Sequence, residues 1–226
     1  MMPNSTPLSI QSGEAKRDEA QTTLVVLRTL SYSGVQLNAL LFPFLVYQLS
    51  SSVSLAGLAL LAEWIPKFGL YLIGGSLMQR FGQSNAHLML EAGRLLAVAG
   101  LLACASGHGS LWLLAACSAL YQCCNALSNI LFENSVTRWW HVGGRSHGHA
   151  RLLKADQIGC MLTLLAGIAL KSPVVLAGAG FCTQGILLLG TWLKRRTLYP
   201  PTETAAPQPT PLARQIACDA RAAAQG

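Results

Sequence analysis

"LLFPFLVYQLSSSVSLAGLALLAEWIP", residues 40–66, decides the architecture. Two apolar runs meet at three serines, and neither run alternates polar with apolar residues as a half-solvated strand would. A helix needs about 20 mostly apolar residues to cross a bilayer. Followed outward, the two runs reach approximately 24–48 and 53–78. The stretch therefore predicts a helical hairpin with its turn in water and its legs in lipid.

The rest of the chain repeats this pattern. Of 226 residues, 52% are hydrophobic and 11% charged, against about 25% charged in soluble domains. Mean hydropathy is +0.42. Four more apolar segments follow at 87–106, 111–133, 151–170 and 173–193, giving six in all. The expectation is an all-α membrane protein with six transmembrane helices. A polar segment, 1–23, precedes the bundle at 24–193, and a flexible tail or truncated linker, 194–226, follows it. The first apolar run is too long for a signal-peptide core and reads as a retained helix. The tail "PPTETAAPQPTPLARQIACDARAAAQG" is too poor in large apolar residues to fold alone.

Charge placement gives an orientation. The gaps "SSSV", "GHGS" and "KSP" lie on one side and carry only Lys171. Lys16, Arg17, Arg80, Arg138, Arg145, Lys194, Arg195 and Arg196 lie on the other, with Arg28, Arg151 and Lys154 near it. Positive charge stays cytoplasmic, which puts both termini inside a cell (inner or plasma) membrane. The net charge of +7 is thus a topology signal, and no nucleic-acid partner is expected. Six of the seven cysteines fall in apolar segments without a CxxC pair and read as packing residues.

Charges within the spans cost about 2.5–3.5 kcal/mol each on the insertion scale, so each asks for a reason. Glu63, with Lys67 one turn on, reads either as a titrating or substrate-facing carboxylate or as half of a self-neutralising pair on a helix kinked at Pro66. Gln36, Asn38, Gln122, Asn125 and Asn129 either line a cavity or join helices. Glu91, Arg94, Glu133, Arg138 and Asp156 are candidates for one cytoplasmic-side ionic layer, and Arg28 for a snorkelling cation. Small residues four apart, Gly93 with Ala97, Gly100 with Cys104 and Gly178 with Cys182, predict close helix contacts. "RWWHVGGRSHGHAR", 138–151, puts His141, His147 and His149 beside two tryptophans expected at an interface. Its spacing lacks the cysteine or acid support of a metal site, and no metal or other cofactor is expected. No GxSxG, HExxH or P-loop occurs, so an enzyme is not expected.

Between the second and third segments stands "GGSLMQRFG", 74–82. With six helices and cytoplasmic ends, this loop resembles the amino-terminal half of a major facilitator superfamily transporter. Gly75, Arg80 and Gly82 match the family's loop signature, while Gln79 stands at its acid position and Gln83, Ser84 and Asn85 at its trailing basic positions. The hairpin at 40–66 and "ARLLKADQIGCMLTLLAGIAL", with Gly159 and Gly167, resemble the drug and siderophore exporter branch. The resemblance implies efflux of a small amphiphilic solute by secondary transport driven by a proton gradient. Glu63 and Lys67 would act in coupling or binding, with Gln36, Asn38, Gln122 and Asn125 lining the cavity. The implied partners are the lipid bilayer, the solute, and a second six-helix half or a second copy of this chain. Three alternatives stay open: a truncated remnant, an accessory subunit that only packs against a partner, and a metal sensor using the loop histidines.

Overall fold

The computed structural model describes residues 7–65, 67–71, 83–140, 144–170 and 172–199. The signature positions Gly75, Gln79, Arg80 and Gly82, together with Pro66, His141, Lys171 and the tail from 200 on, lie outside the described residues. Secondary structure within the described residues is helical: α1 (Pro7–Ser50), α2 (Val53–Ala62), α3 (Gln83–Ala103), α4 (Leu111–Trp139), α5 (Arg145–Ala169) and α6 (Pro173–Leu198). A short π-helix, Cys104–His108, extends α3 and closes at Gly107, whose φ of 85° suits a residue without a Cβ. Ser52 and Ser110 cap α2 and α4 by accepting the backbone N–H of Leu55 and Leu113. Pro173 begins α6, where its missing N–H costs nothing.

Among the described residues, five helices are long and apolar enough to cross a membrane: Arg17–Ser50, Ser84–His108, Leu111–Trp139, Arg145–Ala169 and Pro173–Arg195. The second sequence segment is more broken than expected. Helix α2 stops at Ala62, Glu63 sits in a turn, and helical backbone resumes at 64–65 and 67–71. Other boundaries move as well. Helix α1 begins far upstream of residue 24, α4 runs on to Trp139, and α5 starts at Arg145 inside the Gly-rich loop.

Helix α1 packs against α2, α4, α5 and α6, while α3 packs against α4 and α6. Four apolar clusters lie within the bundle among the described residues, one of them made by Ala86, Leu127 and Leu131. Leu24, Phe132, Val136, Trp140 and Leu187 form one end, Leu41, Leu45, Leu101 and Leu114 the other, and Val35, Ala97 and Val98 gather around Tyr121 between them. The polarity is inverted relative to a soluble bundle. Arg94, Glu91, His87, Gln122 and Ser128 are fully buried, whereas Leu61, Ile65, Met161, Leu165 and Ile168 are more than three-fifths exposed. Such a surface is stable against hydrocarbon and unstable against water, which makes this a membrane protein.

Small residues set the helix spacing. A Cβ at Gly159 would lie 2.8 Å from the Thr29 carbonyl oxygen and 3.1 Å from the Ser33 nitrogen, so α5 touches the α1 backbone there. Gly93 and Gly100 make room for the Cys124 and Cys117 thiols of α4. Gly178 behaves differently from its sequence expectation: nothing lies within 4 Å of a Cβ there, and Cys182 is exposed. Trp140 is also reassigned, from interface to core, since it is 6% exposed and packs over Gly148.

Substituting Gly159 by valine should cost about 1–3 kcal/mol of stability, the range for overpacking a close contact. Gly57→Ala, with open space around its Cβ, should leave the melting temperature within error. Thermal unfolding of the purified protein in detergent measures both.

Candidate functional site

Two polar assemblies lie inside the bundle, and they divide the residues expected to form one ionic layer. The first is closed. Arg94 Nη1 donates to both carboxylate oxygens of Glu91 at 3.1 and 3.2 Å, one turn away on α3. Its guanidinium also donates to Ser31 Oγ (2.8 Å) and the Ser31 carbonyl (3.1 Å) on α1, and to the Tyr121 hydroxyl (3.2 Å) on α4. Glu91 accepts further bonds from Ser128 Oγ (3.1 Å) on α4 and Gln184 Nε2 (2.5 Å) on α6. Gly34 of α1 leaves the space that the Tyr121 hydroxyl and Gln184 occupy.

His87 extends this network toward the end of α6. Its Nδ1 lies 2.8 Å from the Tyr199 hydroxyl, and its Nε2 lies 3.3 Å from Glu91 Oε1, off the line of a good hydrogen bond. Phe132 and Tyr199 stand edge-on to the imidazole. Tyr199 is beyond the apolar part of α6, and burial pushes its hydroxyl up to about 12, so it serves as a neutral hydrogen-bonding group.

The second assembly borders an open cleft of about 520 Å³. Helix α1 contributes Arg28, Tyr32, Val35 and Gln36; the broken second segment contributes Leu60, Glu63, Trp64, Lys67, Phe68 and Tyr71; and α4 contributes Asn125 and Asn129. The six from the second segment recur at the three- and four-residue spacing of one helix face, which carries through Glu63 because its backbone keeps right-handed helical dihedrals. Arg28 does not snorkel. It is 6% exposed, and its Nε and Nη2 donate to the two Asp156 oxygens at 2.5 and 2.7 Å, with Nη1 on Asn129 Oδ1 at 2.7 Å. Asn129 in turn donates to the Tyr71 hydroxyl at 3.1 Å.

Glu63 and Lys67 share the cleft but do not close an ion pair. Glu63 is 7% exposed and accepts a 3.0 Å bond from Ser118 of α4. Lys67 lies with its ammonium 5.1 Å from the centre of the Trp64 ring. No salt bridge joins the two, although each lies near enough to feel the other's charge. Gln36 and Asn125 line the cleft as expected, whereas Asn38 and Gln122 do not. Those two are buried with both side-chain polar atoms unpartnered among the described residues, although Gln122 lies beside Glu63.

The ionic-layer residues at the helix ends separate further. Glu133 receives His149 Nδ1 at 2.9 Å in a half-exposed pair, and Arg138 lies close to Tyr199. No group of three His, Cys, Asp or Glu side chains suited to a metal occurs among the described residues. Ser31, Tyr121, His87, Gln184 and Tyr199 are network members that sequence reasoning missed. Serine, tyrosine and glutamine inside apolar runs are unremarkable until helices are paired, though His87, next to the Glu91–Arg94 spacing, carried a signal.

No protein-family model, curated protein or solved structure matches the chain.

Replacing Arg94 by methionine leaves Glu91 buried without its cation and should cost about 3–5 kcal/mol. Adding Glu91→Leu to that variant should recover part of the loss. The melting temperatures of the single and double variants, compared in one detergent, test this coupling.

Proposed function

We propose that the chain is a secondary transport protein that exports a small amphiphilic solute across a cell membrane, coupled to the proton gradient. In this reading it has six crossings and both termini in the cytoplasm, and it is one half of a major facilitator-type transporter. The observation that carries the reading is the cleft: Gln36, Glu63, Lys67 and Asn125 converge on one concave surface within an otherwise apolar bundle. A carboxylate, an ammonium, amides and aromatic rings in one cleft can hold a solute with a polar head and an apolar body. The sequence pattern of the hairpin and of the loop at 74–82 supports the same family.

A further feature supports a partner. The second segment packs on α1 and turns Val53, Leu61 and Ile65 outward, each about seven-tenths exposed. A second six-helix half, or a second copy of this chain, would close the cleft from that side and supply the opposing wall that alternating access needs. Glu63 is the coupling carboxylate in this scheme, since it is the acid that faces the cleft.

The test uses inverted membrane vesicles carrying the full chain, energised with a proton gradient. The probes are naphthoate, naphthylmethylammonium and naphthylmethanol. At least one probe should accumulate above vesicles lacking the chain, and Glu63→Gln should abolish the gradient dependence. Uptake equal to that of control vesicles for all three probes would leave the accessory-subunit reading standing instead.

A further inference from the structure

The charges around the cleft are unequally available. Arg28 is consumed: two bonds to Asp156 and one to Asn129 occupy its guanidinium, and its ring neighbours Tyr32 and Phe132 stand at 5.8 and 5.3 Å. Glu63 lines the cleft too, but it is nearly buried and accepts a hydrogen bond from Ser118. Lys67 has no carboxylate within salt-bridge distance among the described residues. It is only part-buried, its ammonium lies over the face of Trp64, and Glu63 acts on it from beyond salt-bridge distance. The charge this cleft offers to an incoming molecule is therefore positive.

The surroundings of Lys67 specify the rest of the ligand. Trp64 and Phe68 flank it in sequence and stay more than half exposed, with their ring centres 6.2 Å apart. They form an apolar shelf beside the ammonium. Asn125, nearly buried at the cleft wall with its Oδ1 unpartnered, adds a polar group with unused capacity. An ammonium next to an aromatic shelf is complementary to a carboxylate on a planar or apolar body.

From these contacts the geometry points to an amphiphilic organic anion as the ligand class, its carboxylate on Lys67 and its apolar body against Trp64 and Phe68. This rests on the reading of the cleft as the solute site. Glu63, on the same face of the cleft, is the opposing charge. It weakens anion binding while ionised, and a carboxylate ligand gains when that charge is removed.

Equilibrium binding to the purified full chain in nanodiscs, corrected for empty nanodiscs, tests the assignment without any gradient. Naphthoate should bind saturably and about tenfold tighter than naphthylmethanol, the scale of one charge-assisted contact. Lys67→Gln should erase that preference, with an unchanged melting temperature in nanodiscs showing that the variant is folded. Lys67→Arg should retain it, and Glu63→Gln should tighten naphthoate several-fold. Tighter binding of naphthylmethylammonium, lost in Glu63→Gln, would overturn the assignment and make Glu63 the recognising group. A naphthoate preference that survives Lys67→Gln, or no saturable binding of any probe, would overturn it too. Naphthoate binding without vesicle transport refutes the transport reading alone, whereas transport with no preference for the carboxylate refutes this one alone.

Discussion

The Glu91–Arg94 pair is the constraint on which the bundle depends. Both side chains are fully buried, where an unpaired charge would be costly enough to forbid the fold. They satisfy one another only in part, since a guanidinium has five donors and a carboxylate about four acceptor sites. Part of the remaining capacity is met by Ser31, Tyr121, Ser128 and Gln184, which belong to α1, α4 and α6, while Arg94 Nε finds no hydrogen-bond partner among the described residues. Helix α3 therefore cannot slide or rotate against its neighbours without breaking several bonds at once. In hydrocarbon, where apolar contacts give little preference for one helix register over another, such a network specifies the packing.

The cleft has the opposite character. Its second segment is interrupted at Glu63 and makes its main helix contacts with α1. Charges there are held singly: Glu63 by Ser118, and Lys67 by the face of Trp64. One part of the molecule is thus cross-braced and neutralised, and the other is open and incompletely neutralised. The physical difference between the two parts is the number of helices sharing each charge.

Much of this was legible along the chain. The six apolar runs located the five long helices and the broken second segment, because length and apolarity are local properties. Glu63, Lys67, Gln36 and Asn125 stood out because polar groups are costly in lipid, and they do meet in one cleft. Glu91 and Arg94 were visible as a pair through their i, i+3 spacing. The residues expected in one ionic layer take separate ion-pair partners, Glu91 with Arg94, Asp156 with Arg28 and Glu133 with His149, and helix spacing along the chain does not show which helices supply them. Arg28 was misjudged for the same reason: its partner Asp156 lies 128 residues away, and no local pattern shows that α1 and α5 touch there.

The sequence by itself determined that this is an all-helical membrane protein, which residues sit in its apolar segments, and which of those are expensive enough to need partners. Those follow from composition and from the fixed rise of a helix. Only the tertiary structure decided which partner each charge takes, because that depends on helix rotation and on close approaches such as Gly159 against Thr29. It also decided that Glu63 and Lys67 stay apart. Spacing places both on one helix face, but the contact each charge takes, Ser118 for Glu63 and the Trp64 ring for Lys67, depends on the neighbours the fold supplies.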